Sequence, residues 1–207
     1  MPNSHHKRLA ELQNEQQPDQ PGQALSAAAP CTSSALPKTL GFCLPDEASS
    51  CVLGGEMAAL LKPGMVVWFD GDLGAGKTTL VRAILRALGH KGAVKSPTYS
   101  LVEVYALSSI NFHHFDFYRF NRPEEFEEAG LSEYFRADAV CLLEWPEKAL
   151  GYVPPADLRC VLHTHGDGRR LELFADRAEG VRCLSYLHQS PALLARLIPT
   201  IMNAEGC

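Results

Sequence analysis

Nine consecutive residues, Gly71-Asp72-Leu73-Gly74-Ala75-Gly76-Lys77-Thr78-Thr79, carry the densest chemistry in the chain. They fit G-x-x-x-x-G-K-[ST], a loop whose backbone N–H groups turn inward around a phosphate. Glycine is needed where the backbone takes positive φ and where a Cβ would block the anion. Lys77 supplies a point charge for β and γ phosphates, and the Thr78 hydroxyl suits a Mg²⁺ ion travelling with them. A helix that begins at this point adds the positive end of its dipole.

Further along, two carboxylates end apolar runs. Ala139-Val-Cys-Leu-Leu-Glu144 is followed by Trp145, and His113-His114-Phe115-Asp116 is followed by Phe117-Tyr118-Arg119. A carboxylate closing a buried strand downstream of a phosphate loop can bring negative charge to Mg²⁺, which makes Glu144 a metal candidate. Asp116 has three readings: it orients an attacking water, holds a metal-bound water, or pairs with Arg119. Trp145 is either a core anchor or a nucleotide contact. Arg169, at the exit of the turn His165-Gly-Asp-Gly168, is either solvated or reaches phosphate charge. Adjacent His113 and His114 point to opposite faces of a strand and make a poor metal pair.

The elements that position these groups follow from periodicity. Leu40–Leu44 reads as a strand, with Asp46 as N-cap of a helix bearing Val52, Leu53, Met57, Leu60 and Leu61. Met65–Asp70 is a continuous apolar strand feeding the loop, and Leu80, Val81, Ile84, Leu85 and Leu88 recur at helical spacing until Gly89. Two β-rich runs follow, Leu101–Tyr105 and Ile110–Phe115, as a hairpin-like pair joined near Ser108-Ser109. Lys95-Ser96-Pro97-Thr98-Tyr99 is a hydroxyl-bearing turn just before them. An acidic helix from Pro123, the strand ending at Glu144, a hairpin of Leu158–His163 with Arg170–Phe174, and a helix opened by Ser190-Pro191 complete the series.

The predicted fold is therefore α/β: a three-layer domain over residues 39–178, with a mixed, partly parallel central sheet flanked by helices. Residues 1–38, rich in Gln, Pro, Ala and Ser, read as a disordered tail in which His5 and His6 are solvated, and residues 179–207 as a C-terminal helical extension. A chain of 207 residues with net charge −5 offers no overall attraction to nucleic acid. Seven cysteines without a C-x-x-C pair, a polar N-terminus and no long apolar run predict reduced thiols, a cytoplasmic protein and no membrane span.

Together, the loop at 71–79, Lys95-Ser-Pro-Thr-Tyr99, His114-Phe-Asp-Phe-Tyr-Arg119 and Glu144-Trp-Pro146 resemble, in order, the motifs of the TsaE (YjeE) family of bacterial P-loop ATPases. The resemblance runs from about Leu40 to about Phe174. It departs at Phe117, where leucine is more frequent in the family. It implies an ATP-binding and ATP-hydrolysing partner of TsaD and TsaB in forming N6-threonylcarbamoyladenosine at position 37 of tRNAs that read codons beginning with A. The tRNA is then engaged indirectly, through the complex. By the same resemblance Gly74, Ala75, Gly76, Lys77, Thr78 and Thr79 bind ATP. Thr78 and Glu144 hold Mg²⁺, Asp116 and Lys77 are catalytic, and Ser96 and Thr98 form a switch-like segment. Glu47, Trp145, Glu147 and Arg169 match positions near the nucleotide. Two other functions remain open to the motifs, a small-molecule kinase and a nucleotide-gated binding module.

Overall fold

The computed structural model describes residues 38–107, 110–175 and 177–197. The predicted tail up to residue 37, with His5 and His6, the Ser108-Ser109 turn and the stretch from Ile198 onward lie outside them. In chain order the elements are β1 (Thr39–Leu44), α1 (Glu47–Ala58), β2 (Val66–Asp70), α2 (Lys77–Ala87), β3 (Val102–Leu107) and β4 (Ile110–Asp116). There follow α3 (Glu125–Glu128), β5 (Ala139–Glu144), β6 (Leu158–His165), β7 (Gly168–Phe174), α4 (Ala178–Gln189) and α5 (Pro191–Leu194). Single 3₁₀ turns occupy Leu131–Tyr134 and Pro146–Ala149.

Seven strands form one sheet in the order β1-β7-β6-β2-β5-β4-β3. The four central strands run parallel, and the pairs at both edges are antiparallel. Parallel strands buried on both faces must be apolar throughout, as Val140-Cys-Leu-Leu143 is. Alternation then divides that strand between two cores. Val140 and Leu142 pack with the residues of α1, α2, α4 and α5, whereas Cys141 and Leu143 pack with Phe115, Phe117, Phe126 and Leu131 on the opposite face. Helices on one face and short turns on the other give the three layers.

α1 begins where the extended Asp46 accepts the N–H of Ser49 at 2.7 Å. The Ser49 hydroxyl, bonded to the same oxygen at 2.6 Å, and then that N–H hold its carboxyl below the usual carboxylate range. α1 lies against α2 so closely that a Cβ on Gly54 would come within 2.5 Å of the Ala83 Cβ. The C-terminal segment joins the main core: α4, α5 and the turn after α5 bring Cys183, Leu184, Leu187, Leu193 and Leu197 into the cluster shared with α1 and α2. The helix predicted from Ser190 is a single turn, and the longer α4 precedes it. Cys51, Cys141, Cys160 and Cys183 are free thiols, and burial pushes the last three up in pKa. No described helix is long and apolar enough to cross a membrane.

Candidate functional site

The parallel block determines where the site forms. β2 is central, and at its C-terminal end the chain turns through Gly71–Gly76 into α2. Gly71 sits at φ 132°, and a Cβ there would fall 2.2 Å from the Leu162 carbonyl oxygen, so this turn tolerates no side chain. Gly76 caps α2 in the left-handed region without any side-chain bond, leaving the first-turn N–H groups for an anion. β4 and β5 are neighbours with Asp116 registered on Glu144. Both continue the strand parity that faces α2, so period-two geometry carries both carboxylates beneath the start of that helix.

These groups line one cavity of about 270 Å³. Lys77 is only 5% exposed; its Nζ donates to the carbonyls of Gly71 (2.5 Å) and Asp72 (2.9 Å) and lies 3.8 Å from the centre of the Trp145 ring. Burial lowers its pKa, opposed by the negative charges of Glu144, Asp116, Glu147 and Asp72. The Thr78 hydroxyl donates to Glu144, 2.8 Å from Oε1 and 3.0 Å from Oε2. Asp116 Oδ2 accepts from Thr98 at 2.8 Å and from Ser96, while its Oδ1 accepts the Tyr118 N–H at 2.8 Å. Trp145 holds φ 59° and Leu101, whose carbonyl accepts the Asp116 N–H, holds φ 65°. Left-handed backbone at non-glycine residues costs about 1–3 kcal/mol each and gathers at functional sites.

The other expected residues are placed less uniformly. Arg169 uses its guanidinium on the outside of the glycine turn, donating to Ala75 O (3.0 Å) and Gly74 O (3.1 Å). With Glu47, Thr79 and Gly76 it lines a second cavity of about 210 Å³ behind the loop. Glu147 is exposed on the 3₁₀ turn, outside both cavity walls, and acts on Lys77 through charge alone. Arg119 stacks 4.2 Å from the Tyr99 ring centre, so among the described ion pairs Asp116 has no arginine partner. One contact had no signal in the sequence: buried His114 lies with Nε2 2.9 Å from Glu144 Oε1. Its motif neighbours pointed to Asp116, and a cross-strand pair 30 residues apart leaves no local pattern.

Thr78 and Glu144 offer a hydroxyl and a carboxylate, the hard oxygen donors that suit Mg²⁺. No cluster of three or more His, Cys, Asp or Glu able to hold a metal occurs among the described residues. Two protein oxygens fit an ion that keeps its waters and takes phosphate ligands.

A central parallel strand, a glycine turn, a lysine buried at the start of the next helix and a carboxylate closing the adjacent strand define a P-loop NTPase-like protein. Residues 44–171 match the family described as "Threonylcarbamoyl adenosine biosynthesis protein TsaE". The chain belongs to the TsaE family. It is 43% identical over 147 residues to the tRNA threonylcarbamoyladenosine biosynthesis protein TsaE of Haemophilus influenzae, spanning 69% of this chain and 93% of that protein. The Bacillus subtilis protein of the same name is 39% identical over 113 residues, spanning 55% and 70% respectively. The crystal structure of YdiB from Bacillus subtilis superposes with a TM-score of 0.63 at 27% identity, covering 73% of this chain and 95% of that one.

Proposed function

We propose that this protein binds and hydrolyses ATP as the energy-coupling partner in threonylcarbamoyladenosine formation on tRNA. In this reading it works in the cytoplasm with TsaD and TsaB and meets tRNA through that complex. The observation that carries it is the convergence of Lys77, Thr78, Asp116 and Glu144 on one cavity at the end of β2.

Phosphoryl transfer to water demands positioning and charge neutralisation more than covalent chemistry. The glycine turn and the first N–H groups of α2 receive the phosphates, and Lys77 leaves its two carbonyl partners to meet them. Thr78 and Glu144 would hold a Mg²⁺ ion, which would supply charge neutralisation for the phosphates. Asp116 orients the water. Its carboxylate is held by Ser96 and Thr98, so those hydroxyls serve as a switch that exchanges Asp116 for the phosphate end of the nucleotide. Arg169 is committed to loop carbonyls and Arg119 to Tyr99. On this reading neither is assigned as a finger, an element worth about 10³–10⁵ in rate in other P-loop enzymes. Hydrolysis by the isolated chain is accordingly slow, and a partner completes the site.

The test measures Mg-dependent ATP hydrolysis by the purified chain, alone and with TsaD, TsaB, threonylcarbamoyl-adenylate and tRNA, for wild type and Glu144→Ala. The expected result is a low rate that rises with the partners and disappears in the variant. Phosphorylation of a small metabolite with no response to the partners would replace this reading with a kinase.

A further inference from the structure

His114 is fully buried on β4, two residues before Asp116 and on the same face. Its Nε2 lies 2.9 Å from Glu144 Oε1, and its Nδ1 is enclosed with no hydrogen-bond partner. A ring with one partnered and one orphaned nitrogen can satisfy a single N–H, so the proton sits on Nε2 and the ring donates to the carboxylate. The ring therefore restrains one oxygen of Glu144.

The two carboxylate oxygens are not equivalent. Oε1 accepts from both His114 and Thr78, whereas Oε2 accepts from Thr78 alone among the described contacts. On the reading of Thr78 and Glu144 as the magnesium ligands, we propose that His114 is a positioning residue for the metal. The Nε2–H bond pins Oε1 and so presents Oε2, beside the Thr78 hydroxyl oxygen, to the cation. Groups that orient metal-binding carboxylates in this way change metal affinity while touching neither metal nor nucleotide.

The experiment measures Mn²⁺ affinity of the ADP-loaded full chain by the electron paramagnetic resonance signal of free Mn²⁺. His114→Leu fills the space and removes the donor, while His114→Gln restores an N–H at similar reach. Expected is a loss of about 10- to 100-fold for His114→Leu and recovery to within about 3-fold for His114→Gln, with ADP affinity in EDTA unchanged. If His114→Leu does not fold, His114→Met, which adapts to irregular space, takes its place. Wild-type Mn²⁺ affinity in a folded donor-less variant, or a glutamine variant as weak as the leucine one, overturns the role of His114. Glu144→Ala separates the two questions: if it leaves Mn²⁺ affinity intact, the metal assignment itself falls.

Discussion

Lys77 combines a charge with deep burial, and the two conflict. Desolvation lowers its pKa from the usual 10.5, so the charged form is held at a cost to folding. Because the folded-state pKa lies below that of the unfolded chain, this cost is full below the folded value and fades as pH climbs towards 10.5. Lys77→Met should abolish ATP binding in a fluorescent-nucleotide titration. Its stability relative to wild type, from urea midpoints, should be most favourable near neutral pH and decline as pH rises towards 10.5. The lysine was legible because the whole loop is written in nine adjacent residues. Glu144 and Asp116 were legible as carboxylates ending apolar strands. The engagement of Arg169 with Gly74 and Ala75 was not, since it spans about 95 residues and depends on β7 running beside β6. Nor could composition choose between Arg119 and the hydroxyls of Ser96 and Thr98 as company for Asp116; only the turn's approach to β4 decides that.

Among the elements, the contact of α1 with α2 controls how the loop helix is seated. Gly54→Ala places a methyl 2.5 Å from the Ala83 Cβ. Helix propensity favours the alanine, but overpacking costs about 1–3 kcal/mol, so the variant should lower the denaturant midpoint. Adding Ala83→Gly should recover part of the loss, and a double-mutant cycle in urea measures the coupling. The hairpins, the parallel strand at Glu144 and the Asp46 cap could all be read from local periodicity and turn chemistry. α4 could not, and Gly180 explains why. The helical extension expected over 179–207 does not separate α4 from the helix at Ser190, and nothing in the sequence marks why residue 180 is glycine: a Cβ there would meet the Asp157 carbonyl oxygen at 1.7 Å. The residue is glycine because the helix passes against β6's entry, a demand that exists only in three dimensions.

For the molecule as a whole, the placement of α4 and α5 makes the C-terminal segment part of the fold. A chain ending at residue 177 loses five apolar side chains from the core shared with α1 and α2. It should show no cooperative urea transition and should bind a hydrophobic dye, whereas a dispensable extension would leave the transition unchanged. Strand order could not be read from the chain because edge pairing answers to topology rather than to local pattern. That pairing also has a consequence in time. β1 is the first described strand, yet its partner is β7, with Thr39 registered on Phe174. At about 5–20 residues per second of synthesis, the apolar face of β1 waits roughly 7–27 s for its neighbour to emerge. The phosphate loop is made about a quarter of the way through that interval, so its synthesis precedes the closure of the sheet that steadies it, and newly made chains pass through a window in which the edge of β1 is open to chaperones.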